Sequence, residues 1–418
     1  MSVRNTNRVI INLEALYHNI ETVSEWMKNH DLDWTLVTKV LCGHKPTLNA
    51  LIRLGIKSVG DSRIQNLEDL YEINKDIETW YLRIPSLSEL EDVVTLADVS
   101  LNTETQSIKT INEIAAKQNK VHKVIIMIEL GDLREGILPG SLMAFYKKIF
   151  NLKNVRVIGI GTNFGCLAGA VPTVDQFMQL ILYRELLELK FGKSLPIISA
   201  GSSVALPMLL KKEIPKGINH FRIGESIFLG TDLISSGNLP GLRDDCVTLE
   251  SDIIEIKEKS LNSGAETSNT TPFESEDEEA TIKPGQRGYR ALLSIGQLDT
   301  EVSGLIPENP EISIAGSSSD VTVVNIGDHR MGFKIGKVIR FKLKYSAMAR
   351  LMANKYIDKV LEPSVDDFFK QINHMSSDIG GRSVLGSDKN LRVVKKSSTS
   401  SVENSVDKKS LDAEEKID

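Results

Sequence analysis

The sequence predicts an α/β protein: an N-terminal (β/α)8 barrel of the TIM type over residues 8–230, followed by an all-β domain over 231–360. Three observations carry this reading. From residue 8 to about 230, short runs rich in valine and isoleucine alternate with amphipathic stretches. Continuous β-branched runs mark strands covered on both faces, and strand–helix repetition means parallel crossovers. About eight such units in roughly 220 residues is the count of a closed barrel. Beyond Gly230 the texture changes to short strand-like runs broken by turn residues. A doubly wound open sheet is the alternative for the first part. No glycine-rich fingerprint follows the first strand-like run, which favours the barrel.

The elements follow in order. Residues 9–13 read as the first strand, with a helical pattern after them through Leu16, Tyr17, Ile20 and Val23. Strands are then expected at 34–40, 58–60, 79–84, 98–101, 121–130, 156–161, 196–200 and 220–224. Helices are expected near 47–54, from 64, and near 87–97, 105–118, 142–150, 174–189 and 205–210. In the second domain, runs at 246–256, 289–295, 311–314, 320–326 and 337–344 read as strands. The polar, acidic stretch 260–279 reads as a disordered insertion within that domain. Residues 361–418 form a C-terminal extension, and the part after about 385, rich in Ser, Lys, Asp and Glu, reads as a flexible tail.

At 418 residues the chain can hold two or three domains. A composition of 41% hydrophobic and 25% charged residues is that of a globular protein able to bury a full core. The net charge of −6 argues against a nucleic-acid partner and leaves small molecules and proteins. Cys42, Cys166 and Cys246 are too few and too scattered for a disulfide framework or a zinc site, so no metal is expected and a reduced, cytoplasmic setting fits them. The first residues lack the apolar core of a signal peptide, and no run approaches the ~18 apolar residues of a membrane span.

In a barrel, chemistry gathers at the C-terminal ends of the strands. Lys39 lies in residues 34–43 (Trp-Thr-Leu-Val-Thr-Lys-Val-Leu-Cys-Gly), an otherwise largely apolar run. Two readings are open: a strand-end lysine that snorkels to solvent, or a desolvated amine that attacks aldehydes. Arg134 stands just past the most apolar strand, and Asn163 and Cys166 follow the next; a glycine-rich strand exit is also what a plain turn looks like. Gly201, Ser202 and Ser203 end a strand where a helix begins, which makes either a phosphate site or a plain serine N-cap. Arg222, ahead of Gly224 and Glu225, stands inside the last apolar strand, where a core arginine would normally be paired with an acid.

These residues resemble, in order and spacing, those of alanine racemase and its fold-type III relatives. The runs Thr-Lys-Val-Leu-Cys-Gly at 38–43, Asp-Ser-Arg-Ile-Gln-Asn at 61–66, Gly-Asp-Leu-Arg-Glu-Gly at 131–136 and Pro-Lys-Gly-Ile-Asn-His at 215–220 are most similar to the ornithine-racemase branch. The resemblance covers about residues 7–357 without the acidic insertion. It implies pyridoxal 5′-phosphate (PLP) as cofactor, a homodimer, and racemisation of an amino acid, with ornithine or another basic amino acid as the substrate class. Other members of the wider group are decarboxylases and D-amino-acid lyases, and some non-catalytic PLP carriers consist of the barrel alone.

The resemblance also implies roles. Lys39 would hold the cofactor covalently and serve as one proton-transfer base. Arg134 would bond the cofactor's phenolate oxygen, with Asn163 beside it. Gly201, Ser202, Ser203, Gly224, Glu225 and Tyr345 would surround the phosphate. Arg222 would face the pyridine nitrogen, and a guanidinium that stays protonated there disfavours transamination. One departure is plain: where alanine racemase presents a catalytic tyrosine after an Ile-Gly pair, this chain has Gln297, which cannot act as a base. The second base is then Cys166, a thiol that a nearby cation can tune, or Asp299, a carboxylate needing strong desolvation. Asp299, Asp320 or Glu301 could meet a distal substrate ammonium.

Overall fold

The computed structural model describes residues 7–167, 169–261, 285–327 and 332–378. The first strand, β1 (Asn7–Asn12), leads into a helix, Leu13–Asn29, whose first turn is capped by the Asn12 side chain accepting the Ala15 N–H at 3.1 Å. Eight parallel strands then close a barrel: β2 (Asp33–Val37), β3 (Ser58–Asp61), β4 (Glu78–Tyr81), β5 (Val99–Asn102), β6 (His122–Met127), β7 (Val155–Gly161), β8 (Ile197–Ser202) and β9 (His220–Ile223). Closure is the ladder between β2 and β9, which aligns Asp33 with His220, Trp34 with Phe221, Thr35 with Arg222 and Leu36 with Ile223.

Trp80, Val99, Leu101, Ile125, Met127 and Ile158 fill a separate apolar cluster on alternate strand positions, while the neighbouring positions join a larger core under the helices. Inside the barrel, His220 is fully partnered. His220 stacks on Trp80 at 4.4 Å between ring centroids, and its two ring nitrogens meet Ser199 Oγ at 2.8 Å and Thr35 Oγ1 at 3.0 Å.

The second domain begins with a small hairpin, β10 (Thr231–Asp232) and β11 (Gly237–Asn238), followed by β12 (Val247–Ser260), β13 (Arg287–Leu293), β14 (Leu305–Pro307), β15 (Ser313–Ser317), β16 (Thr322–Asn325), β17 (Val338–Leu343) and β18 (Asp358–Glu362). The strand order is β14-β17-β12-β13-β16-β15. Buried Glu250 on β12 holds three strands together: Arg8 of β1 and Arg340 of β17 lie opposite it in register and both pair with its carboxylate, Arg340 at 2.7 Å.

The structure corrects the sequence reading at the start of the barrel domain and at the end of the β domain. Residues 9–13 form no barrel strand; β1 pairs antiparallel with β12 and parallel with β18, and the barrel starts at β2. Val9 and Ile11 are fully buried, and a run with apolar faces fits any covered sheet, so its sequence cannot say which one receives it. At the other end, β18 runs across the expected boundary at 361, and the helix Val365–Asp378 packs back on the first helix through Phe368 against Tyr17. The five strand runs expected in the second domain are present as β12, β13, β15, β16 and β17. The four that the sequence missed, β10, β11, β14 and β18, are short or largely polar. Residues 262–279 of the acidic insertion and the tail after 385 lie outside the described residues.

Burial holds His122, bonded to Ser100 Oγ at 2.8 Å, down to about 4, and His220 down to about 3. An unfolded histidine takes a proton near pH 6.5. Between pH 6.5 and about 4 the unfolded chain therefore binds protons that the folded chain refuses, so stability falls as pH falls. Each histidine contributes up to about 1.4 kcal/mol per pH unit in that window. Urea unfolding at pH 7.5, 6 and 5 should show a falling midpoint, and a His122→Asn variant a shallower fall. A midpoint constant across those three values would contradict this account.

Candidate active site

A cavity of about 680 Å³ opens at the C-terminal ends of the barrel strands. Lys39 enters it two residues past the end of β2, at the start of the short helix Lys39–Leu41. The lysine is exposed to the cavity, because the strand stops at Val37. Of the two readings open from the sequence, a lysine that reaches solvent and an enclosed, desolvated amine, the fold realises the exposed one. In the folded chain Val40 and Leu41 turn into the core while Lys39 faces the opening.

Arg222, on β9, is the most enclosed charge in the cavity, and among the described residues it has no carboxylate partner of the kind expected for a core arginine. Its guanidinium donates instead to the carbonyls of Ser199 and Thr162 at 2.8 and 2.9 Å, to Ser199 Oγ, and to Asn163 Oδ1 at 2.6 Å. Burial pulls it down to about 10, so it is protonated at neutral pH. Asn163 passes the connection on, its Nδ2 donating to Glu135 Oε1 at 2.5 Å. Glu135 is gripped from the other side by Arg134, through Nε and through Nη2 at 2.6 Å, and that pairing raises the guanidinium of Arg134 further. The Asp132 carboxylate accepts the N–H groups of Cys166 and Leu167 at 2.8 and 3.2 Å, which fixes the loop presenting Cys166 to the cavity.

The cavity is also lined by Ser202, Ser203, Gly224, Glu225 and Tyr345. Ser202 stands at an N-cap position but makes no capping hydrogen bond, so the plain N-cap reading is not the one realised. The Ser203 hydroxyl oxygen accepts the N–H groups of Gly224 and Ser226 at 3.4 and 3.3 Å, leaving its proton available to an anion. Gly224 must be small, since a Cβ there would sit 2.9 Å from the Val37 carbonyl oxygen. Burial raises the Glu225 carboxyl, with Thr231 and Lys39 opposing. Tyr345 opens the helix Tyr345–Ala353 of the second domain, and burial pushes its phenol well above the usual range, which keeps it a donor.

The structure thus gathers Lys39, Arg134, Asn163, Cys166, Ser202, Ser203, Arg222, Gly224, Glu225 and Tyr345 around one cavity, with Gly201 beneath it in β8. It does not bring Asp299 or Asp320 there within the same chain. Asp299 accepts the Gly296 N–H at 3.1 Å, Asp320 accepts the Ser318 hydroxyl at 3.0 Å, and Gln297 donates to Ser317 Oγ at 2.8 Å, all in the second domain. Sequence reasoning missed Ser62, Arg83 and Glu135, which also line the cavity. Glu135 stood inside a quoted motif, but its neighbour Arg134 drew the assignment.

A closed β/α barrel carrying a lysine, two arginines and a hydroxyl-lined turn at its mouth, with a β domain built on both termini, defines a barrel enzyme of the amino-acid racemase class. A family model described as the alanine racemase N-terminal domain matches residues 11–232. The chain belongs to the alanine racemase family, and as a racemase it is an isomerase. It is 35% identical over 361 residues to an ornithine racemase of Acetoanaerobium sticklandii, covering 85% of this chain and 99% of that one. It is 32% identical over 359 residues to a lysine racemase of Thermotoga maritima, covering 86% and 99%. Its fold matches that of an alanine racemase from Bartonella henselae with covalently bound pyridoxal phosphate, at a TM-score of 0.64 and 14% identity, covering 86% and 100%.

Gly201, which does not itself line the cavity, yields a test of the packing between β8 and β9. A Cβ at this position would fall 2.2 Å from the Phe221 ring, on the strand that carries Arg222. Gly201→Ala should destabilise the fold by about 1–3 kcal/mol or more, measured by urea unfolding. Adding Phe221→Leu should recover part of the loss, and strictly additive losses would show that the ring is not the obstacle.

Proposed function

We propose that this chain is a PLP-dependent racemase of a basic amino acid, ornithine or lysine. The observation that carries the reading is the convergence of Lys39, protonated Arg222 and the Ser202–Ser203–Gly224 turn on a single cavity at the barrel mouth. The donor set fits the cofactor. A primary amine suits its aldehyde, hydroxyls and a close glycine suit its phosphate, and a buried cation suits its ring nitrogen. When bound, PLP supplies an electron-withdrawing ring that makes the substrate's α-proton removable.

The chain's own residues supply the rest. Lys39 holds the cofactor and moves the α-proton on one face. Arg222 can only donate, so it would hold the cofactor's ring nitrogen without giving it a proton, which would favour prompt return of the α-proton over transamination. Arg134 keeps Nη1 outside its bonds to Glu135 and would use it on the phenolate oxygen, with Asn163 fixing the pair. Ser202, Ser203, Gly201, Gly224, Glu225 and Tyr345 would hold the phosphate, through backbone N–H at Glu225.

Cys166 serves as the second proton carrier. Its loop is pinned at the cavity, and the thiol stands near enough to Arg134 and Arg222 to act electrostatically on both. Asp299 and Asp320 reach a site only from another subunit, so they belong to a homodimer in which each β domain covers its partner's barrel mouth and meets the distal ammonium. The substrate class follows the two relatives, named for ornithine and lysine.

Two outcomes test the reading. Purified protein supplied with PLP should turn yellow, borohydride reduction should label Lys39, and Lys39→Ala should lose the visible absorbance with its fold intact. Chiral chromatography should then show interconversion of ornithine or lysine enantiomers. A label on another lysine ends the site assignment, and a protein inert towards both amino acids ends the substrate assignment. Separately, Cys166→Ala should slow α-deuterium exchange of one enantiomer at least tenfold more than the other. Equal rates in the variant and the parent would make the thiol a packing residue.

A further inference from the structure

We propose that Glu135 is a positioning residue that locks Arg134, Asn163 and Arg222 into one rigid, polarised chain across the cavity, an inference that rests on the PLP reading above. The chemistry of the four groups admits one arrangement. A carboxylate only accepts hydrogen bonds and a guanidinium only donates them. Asn163 lies between Glu135 and Arg222, so its amide must turn NH2 to the carboxylate and oxygen to the arginine. Both bonds are made, at 2.5 and 2.6 Å. On its other side the Glu135 carboxylate takes two bonds from Arg134, one to each oxygen. The result is a chain whose donors converge on Glu135 from both sides, Arg134 directly on one and Arg222 through Asn163 on the other.

The charge of Glu135 matters as much as its shape. Arg134 lowers the proton affinity of Arg222, as one cation does to another, and Glu135 acts on Arg222 in the opposite sense. Among the described residues Arg222 has no ion pair of its own; this carboxylate, one amide away, is one source of compensation, beside the Cys166 thiol. The Glu135 side chain is only 15% exposed, so water screens the interaction little. A glutamine would preserve the volume but lose the charge, and it could present an NH2 group to Arg134 or to Asn163. The amide of Asn163 would then be free to flip, and both arginines would lose their fixed directions.

The experiment uses the full chain, stripped of cofactor and titrated with PLP, with the absorbance maximum of the bound form recorded. Glu135→Gln should weaken PLP binding at least tenfold and shift the absorbance maximum, while the apoprotein keeps its thermal midpoint. Glu135→Asp, which retains the charge, should recover most of the affinity. If Glu135 acts through the arginine, Glu135→Gln placed on top of Arg134→Met should cost less than threefold beyond Arg134→Met alone. Wild-type affinity and absorbance in Glu135→Gln would overturn the proposal and leave the PLP reading standing, as would losses that multiply in the double variant. If Glu135→Gln fails to fold, a Glu135→Asp protein as impaired as a Glu135→Ala one overturns it. A parent protein that binds no PLP overturns both.

Discussion

The ladder between β2 and β9 is the constraint on which the site depends. It joins residues 33–36 to residues 220–223 and converts an open succession of β/α units into a ring. By setting Thr35 beside Arg222, it puts the exits of the first and last barrel strands side by side. Lys39 and Arg222 therefore face one cavity although most of the barrel separates them in sequence. The fit is close on both sides of the seam. Gly224 leaves no room for a Cβ against Val37, and Gly201 none against Phe221. Small residues at these points let the strands approach, and the approach sets the width of the mouth.

Within that ring the cations are treated differently, and their partners explain how they can have different roles. Lys39 is left exposed. Arg134 is bound to a carboxylate, while Arg222 is buried among neutral acceptors. Burying an arginine without a direct counter-ion is costly unless its donors are met, and four acceptors meet them here. Burial lowers Arg222 to about 10, which still keeps its proton at neutral pH. A lysine in its place would carry fewer donors and release its proton more readily.

The β domain is bound into the same core. β1 lies between β18, from the other end of the described chain, and β12, and Glu250 ties β1, β12 and β17 through two arginines. The apolar cluster beneath the barrel helices continues into this sheet without a break. Tyr345 can therefore be delivered to the cavity from the second domain at a fixed position.

The barrel strands were legible because each is a short β-branched run covered on both faces, and local pattern records that environment directly. Lys39, Arg134, Asn163, Cys166, Ser202, Ser203, Arg222 and Gly224 were legible because each stands at or just past the end of such a run. Local sequence could not assign β1 to a sheet, since two covered sheets present the same demands to a strand. Nor could it show that Lys39 would be exposed, or that Arg222 would be satisfied by carbonyls rather than an acid. Glu135 gained its place only from folding, because its partner Asn163 lies on a different loop. The sequence alone determined which strands form and which polar residues end them. Only the tertiary structure decided which of those residues meet, since hydrogen bonds between separate loops depend on ring closure and leave no local periodicity to read.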